Sequence, residues 1–271
     1  MKKIFFKLFN RKEFKILNNF IFNAYTMGKV GSVTIEKTIA KRVFYNKIFH
    51  LHFLSKEGLE KHKAFNKTEQ GYSDAREFEV VRKNNPQKRV KIITLVRDPL
   101  ARDISDLFQN FRVYMSVQQI KEVNVEQLLN RFKGFDHEYA LQWFDDEFRN
   151  YLGVDIYGFE FNKKKGYQII ENLNCDVLII RLENLTSVFS DAMQAFTGIG
   201  GWILSSEENS AENKAYSELY ESFKKKVVIG KDVLDLLYNS KYYNHFYTQE
   251  EKAKSISKWA RTEMKSNPEK S

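Results

Sequence analysis

The chain has 271 residues, 42% hydrophobic and 15% aromatic, with a formal net charge of +9 and a pI near 9.3. That is enough to bury one sizeable core, and the chain is expected to form a single α/β domain over 1–271. One cysteine, Cys175, excludes an internal disulfide and any CxxC metal cluster, so a reducing, cytoplasmic location is expected. The positive balance suits an anionic ligand, nucleic acid or an acidic membrane surface equally, and by itself chooses none of them.

Residues 1–20 read as a basic segment whose charges interrupt what would be a signal peptide's core. A solvated segment is expected there, with weak attachment to a membrane surface as the alternative. No apolar run approaches the length needed to span a bilayer. Ile21 to Thr34, IFNAYTMGKVGSVT, then has the pattern strand, glycine loop, helix. Gly28 and Gly31 permit close backbone approach and conformations closed to other residues, so successive N–H groups can face one concavity. Lys29 adds a charge, and the helix that follows adds free amides and the positive end of its dipole.

Lys47 to Ser55, KIFHLHFLS, predicts a short strand with His50 and His52 on the same side. Residues 56–88 turn polar and are expected to cover the site, with helix in EFEVVRKN and a turn at NNPQ. Arg89 to Val96, RVKIITLV, is the clearest strand, β-branched and apolar enough to be buried on both faces. Arg97 is placed as its last residue, at the sheet's carboxyl edge, with Asp98 as N-cap and Pro99 opening the next helix. The middle, 123–172, is helical and aromatic, with Trp143, Phe144, Phe148 and Tyr151 at core spacing and a hairpin in GVDIYGFEFNKKKGYQII. DVLIIR, Asp176 to Arg181, is a second buried strand, with Cys175 packed at its start. Thereafter the pattern is helical: LTSVFSDAMQAF, AENKAYSELYESFKKK, VLDLLYNSKYYNHF and TQEEKAKSISKWARTEM, then a flexible tail at 265–271.

A nucleoside-triphosphate loop would place lysine directly after its last glycine, as GxxxxGK[ST], whereas here Lys29 precedes Gly31. YTMGKVGS instead resembles the 5′-phosphosulfate loop of sulfotransferases that use 3′-phosphoadenosine-5′-phosphosulfate (PAPS). RDPLARDIS resembles the same family's 3′-phosphate motif, an arginine and a serine eight residues apart, here Arg97 and Ser105. RLENL at Arg181–Leu185 resembles the family's closing strand, and the likeness runs from about Ile21 to Trp259. WFDDEF, GVDIYGF, RLENL and NSKYYNHFYTQEE look most like bacterial capsular polysaccharide synthesis proteins and carbohydrate sulfotransferases.

The resemblance implies a three-layer α/β fold of the P-loop-NTPase-like kind, with a central, mostly parallel sheet flanked by helices. It implies transfer of a sulfuryl group from PAPS to a carbohydrate hydroxyl, leaving PAP, without a metal and with no nucleic-acid partner. Lys29 would stabilise the leaving oxygen. Gly28, Val30, Gly31, Ser32, Val33 and Thr34 would donate to the phosphosulfate, although Thr34 equally suits a plain helix start. His52, and after it His50, would take the acceptor's proton; a core histidine is the competing assignment, and Asp98 and Glu183 are carboxylate alternatives. Lys241 falls where the family has a basic loop over the nucleotide, but the arginine-lysine-glycine triplet of cytosolic members is absent. Tyr242 and His245 are expected to pack there rather than react. An ATP-using kinase-like protein and a non-catalytic polyanion-binding module are the competing functions.

Overall fold

Continuous runs of β-branched residues build the centre of the molecule, and polar amphipathic segments wrap it. The computed structural model describes residues 11–205 and 213–260, so residues 1–10 and the 265–271 tail lie outside the described residues. Helix α1 (Arg11–Leu17) comes first and drops Leu17 into the core, where sequence had suggested only a solvated segment. Then follow β1 (Phe20–Tyr25), α2 (Ser32–Arg42), β2 (Phe49–Leu51), α3 (Lys56–Asn66), α4 (Gln70–Asn84) and β3 (Arg89–Val96). Beyond them run α5 (Pro99–Gln109), α6 (Phe111–Met115), α7 (Val125–Lys133) and α8 (Tyr139–Trp143), which continues as a π-helix over Phe144–Leu152. The last part holds β4 (Tyr167–Glu171), β5 (Asp176–Arg181), α9 (Leu185–Thr197), α10 (Asn213–Lys226), α11 (Lys231–Tyr238), α12 (Lys241–Phe246) and α13 (Gln249–Trp259).

The five strands form one sheet in the order β2-β1-β3-β5-β4. All neighbours are parallel except β4, which is antiparallel to β5 and turns into it through Asn172–Cys175; the hairpin expected within GVDIYGFEFNKKKGYQII is not formed, since that stretch holds a 3-10 turn at Ile156–Gly158 and only the first of the two strands. Every residue of β5 is buried, and β3 is buried from Ile92 to Val96, as strands covered on both faces require. The chain leaves β1 for β2 on one side and crosses back to β3 on the other, so the strand order reverses at β1. At such a point the loops leaving neighbouring strand ends diverge, and the crevice between them is where open α/β sheets take ligands. The turn after β1 and the turn after β3 both lie there.

Several boundaries differ from those expected. KIFHLHFLS pairs over only three residues, because the chain bends away after Leu51 to start α3. The polar segment 56–88 forms α3 as well as the expected helix; Ser55 caps α3 by accepting from the Gly58 amide. Arg97 lies one residue past β3 rather than ending it. VLDLLYNSKYYNHF is two helices, since Ser240 accepts from the Tyr243 amide and restarts the chain as α12. Trp143, Phe144 and Phe148 are buried, but Tyr151 is exposed and donates to Glu79 instead. The wider π-helical turn puts it out of phase with the α-helical spacing used to place it.

Candidate active site

The loop after β1 is shaped by two arginines behind it. The Arg102 Nε–H donates to the Gly28 carbonyl at 3.2 Å, and the Arg97 guanidinium donates to the Lys29 carbonyl at 3.0 Å. In a trans peptide the N–H points opposite to the carbonyl, so the amides of Lys29 and Val30 face away from the arginines. Lys29 itself has φ 72° and Gly31 has φ 89°. The left-handed region costs a side-chain-bearing residue about 1–2 kcal/mol, which the two carbonyl bonds offset at Lys29. At Gly31 the positive φ favours glycine, and a Cβ would also meet Leu182 Cδ1 at 2.9 Å, so the leucine tip would have to move aside. Gly31 is the N-cap of α2 and supplies no side-chain cap, so the positive end of the helix dipole is not met by a capping side chain of its own.

The arginines are held in turn by their own network. Arg102 is buried, paired with Asp103 at 2.8 Å and Asp106 at 3.1 Å, and lies against the Tyr139 ring. Asp103 also binds His137 Nδ1 at 2.8 Å, while Asp106 accepts from Tyr114 and Asn110. Asn110 Oδ1 then accepts from the Lys29 ammonium at 3.3 Å. Burial pushes the Lys29 pKa down, and Asp106 opposes that shift. Arg97 is clamped on its backbone: Tyr242 Oη takes its N–H and donates to its carbonyl.

Gly28 and Lys29 open onto a cavity of about 580 Å³ walled by α3, α5 and the segment around Tyr139. That is within the usual range for a small-ligand site. His52 lines it, together with Phe53, Phe65, Tyr114, Phe135 and Tyr139, and charged groups are interleaved with these rings, Arg102 over Tyr139 and Arg131 over Tyr114. His52 Nδ1 lies 2.7 Å from the Thr26 carbonyl, which can only accept, so the ring proton is on Nδ1 and Nε2 keeps a lone pair. Burial, followed by repulsion from His50, pushes the His52 pKa down to about 4 and keeps the ring neutral near pH 7. Its backbone is fixed from both directions. Trp143 donates to the His52 carbonyl at 3.0 Å, and buried Glu147 accepts from Tyr25 and from the amides of Leu54 and Ser55.

The other residues singled out in the sequence fall as follows. His50 faces α2 with both ring nitrogens engaged, by Glu36 and Ser32, and does not line the cavity. Val30 is buried, Val33 is exposed, and Thr34 lies in the first turn of α2. Ser105 is buried and accepts from Gln109, whereas Arg102 on the same helix turns to the loop. Lys241 pairs with Asp145 at 3.2 Å over the Tyr157 ring, and His245 packs against Tyr157 and Phe246. Asp98 caps α5 and accepts from Tyr238, and Glu183 accepts from the Asp98 amide and Tyr247; neither lines the cavity.

Sequence reasoning missed Asp106, Asn110, Tyr139 and Glu147. Arg102, Asp106 and Asn110 stand four apart on one helix face, a readable signal. Tyr139 and Glu147 come from distant helices and carry no local mark. Among the described residues no helix is long and apolar enough to cross a membrane.

Comparison with known proteins gives one match: residues 115–248, just under half of the chain, are similar to the family NKWYS, described as "Putative capsular polysaccharide synthesis protein". The matched stretch carries Tyr139 and Glu147 and leaves out the glycine loop, His52 and Arg97. No curated protein and no solved structure matches the chain.

Proposed function

We propose that this chain is a sulfotransferase that moves a sulfuryl group from PAPS to a carbohydrate hydroxyl in the making of a capsular or other cell-surface polysaccharide. The observation that carries the reading is that Lys29 and His52, whose Nδ1 alone is engaged by the backbone, line one cavity, while Arg97 is bonded to the carbonyl of that same lysine. The similarity of 115–248 to a capsular polysaccharide synthesis family supports the carbohydrate half.

The residues present fit such a donor. The start of α2, with the positive end of its dipole, and the neighbouring Lys29 ammonium would offer donors to anionic oxygens. Arg97 spends one of its five N–H donors on the loop and keeps the others for the nucleotide's 3′-phosphate. PAPS supplies an activated sulfuryl group whose bond to the phosphate oxygen is the one broken. His52 Nε2 takes the proton of the attacking hydroxyl, and Nδ1–H, already given to Thr26, steadies the imidazolium that forms. Lys29 holds the negative charge that collects on the departing oxygen. The aromatic wall formed by Phe53, Tyr114 and Phe135 gives a sugar ring apolar faces to lie on.

Incubation of the full chain with labelled PAPS and a panel of bacterial glycans tests this. Lys29→Ala should lower transfer by about 10²–10³-fold. His52→Ala should lower it by about 10²–10⁴-fold and still bind PAP. Undiminished transfer by the His52 variant would remove the proposed base.

A further inference from the structure

Part of the charge around the 580 Å³ cavity is already engaged. Arg102 is held by Asp103 and Asp106, and the Lys29 ammonium by Asn110. Lys61 from α3 and Arg131 from the last turn of α7 line the same cavity, and among the described residues neither forms an ion pair. The charge of Lys61 reaches Asp146 only through space. The remaining charged group is Asp136, whose Oδ1 accepts from the Glu138 amide. Beyond the Lys29–Arg102–Asp106 cluster the lining therefore carries two cations, Lys61 and Arg131, to one acid, Asp136.

Arg131 is also held in place before any ligand arrives. Its guanidinium carbon lies 4.9 Å from the centroid of the Tyr114 ring, and one N–H donates to the Gly134 carbonyl at 3.3 Å. Tyr114 is fixed in turn. Its hydroxyl donates to Asp106 at 2.9 Å, and Phe65 and Phe135 meet its ring at centroid distances of 5.3 and 5.5 Å. A guanidinium seated on a fixed ring loses less freedom on binding than a free surface arginine. Its remaining N–H donors can meet both oxygens of a carboxylate at once.

We propose that the acceptor is an acidic sugar, a uronic acid residue, whose carboxylate is bound by Arg131 with Lys61 adding a second positive charge. The inference rests on the reading of this cavity as the acceptor's site. A uronic acid carries its carboxylate on the edge of the ring, so a sugar lying on the aromatic side chains turns that group toward the charged ones interleaved with them.

Oligosaccharides of polyglucuronate, polygalacturonate and polymannuronate, each beside the same oligosaccharide with its carboxyl groups reduced to alcohols, test this on the full chain. Titration calorimetry without donor reads binding, labelled PAPS reads transfer, and melting curves establish that each variant is folded. At least one uronate should bind wild type, and reducing its carboxyl groups should weaken binding by about 10–100-fold, the worth of a charge-assisted hydrogen bond. Arg131→Gln should show the same loss with the uronate and no further loss with the reduced form. Arg131→Lys, which keeps the charge without the planar fork, should fall between, and Lys61→Gln should lose less than Arg131→Gln. Wild type that binds none of the uronates, or binds the reduced forms equally well, would overturn the inference. So would discrimination that survives in Arg131→Gln. PAPS-dependent transfer to a neutral glycan would, in any of these cases, leave the sulfotransferase reading standing. Uronate binding that needs Arg131, with no transfer from PAPS to any glycan, would remove the sulfotransferase reading and leave this inference in place.

Discussion

A histidine can act as a base only while it keeps a lone pair within reach of the proton it must take. The two histidines of KIFHLHFLS part company on this point. Sequence placed them on one side of a strand, and their rings are indeed neighbours, yet Glu36 and Ser32 occupy both nitrogens of His50 whereas His52 gives up only Nδ1. No local pattern could have told them apart, because the partners come from the next helix and from a backbone carbonyl. Since burial lowers the His52 pKa to about 4, its base form is complete at neutral pH and is lost only as pH falls through that value. The acidic limb of kcat/KM should therefore lie near pH 4 rather than near the free-imidazole value of about 6.5. A limb at the ordinary histidine position that vanished in His52→Gln would contradict the burial argument. Glu147 gives a second expectation at this scale. Its buried carboxylate gathers the Tyr25 hydroxyl and two amides beside His52, and removing a partner from such a group costs several times an ordinary hydrogen bond. Glu147→Ala should lower stability by about 3 kcal/mol or more, read from denaturant unfolding, with loss of transfer even where the fold survives.

At the scale of elements, the loop between β1 and α2 shows how strand end, turn and helix start act as one unit. The glycines and the lysine were legible because only a few residue types tolerate such a turn. What could not be read was the fixing of its shape from behind, by Arg102 from the α5 face and Arg97 from the end of β3. The RDPLARDIS segment resembles a 3′-phosphate motif, and its two arginines hold two loop carbonyls. Ser105, the other half of that motif, is turned to Gln109. Gly31→Ala tests the unit: the φ of 89° and the approach to Leu182 both oppose a methyl group. It should cost about 1–2 kcal/mol in stability and remove PAP binding, whereas an unchanged affinity would mean that the turn does not shape the anion site. The short β2, the split of α11 from α12 and the exposed Tyr151 have a common cause. Each is set by a cap, a bend or a π-helical turn, which hydropathy patterns do not register.

For the whole molecule, the reversal of strand order at β1 puts the two basic turns side by side. RVKIITLV and DVLIIR announced the parallel core because apolar β-branched runs of that length have few other uses. The antiparallel edge strand depends on pairing with β5, and the partition of 56–88 into two helices on local caps, Ser55 at the start of α3 and the left-handed Lys67 at its end. The most direct measurement is thermal unfolding of the full chain with PAP and with ATP plus Mg²⁺. At a hundredfold excess over its dissociation constant, a bound ligand adds about 2.7 kcal/mol, a rise of several degrees in Tm. PAP should give that rise, ATP with Mg²⁺ should not, and Lys29→Ala and Arg97→Ala should each abolish it. Stabilisation by ATP with Mg²⁺ alone, or a PAP effect that both variants retain, would contradict the assignment.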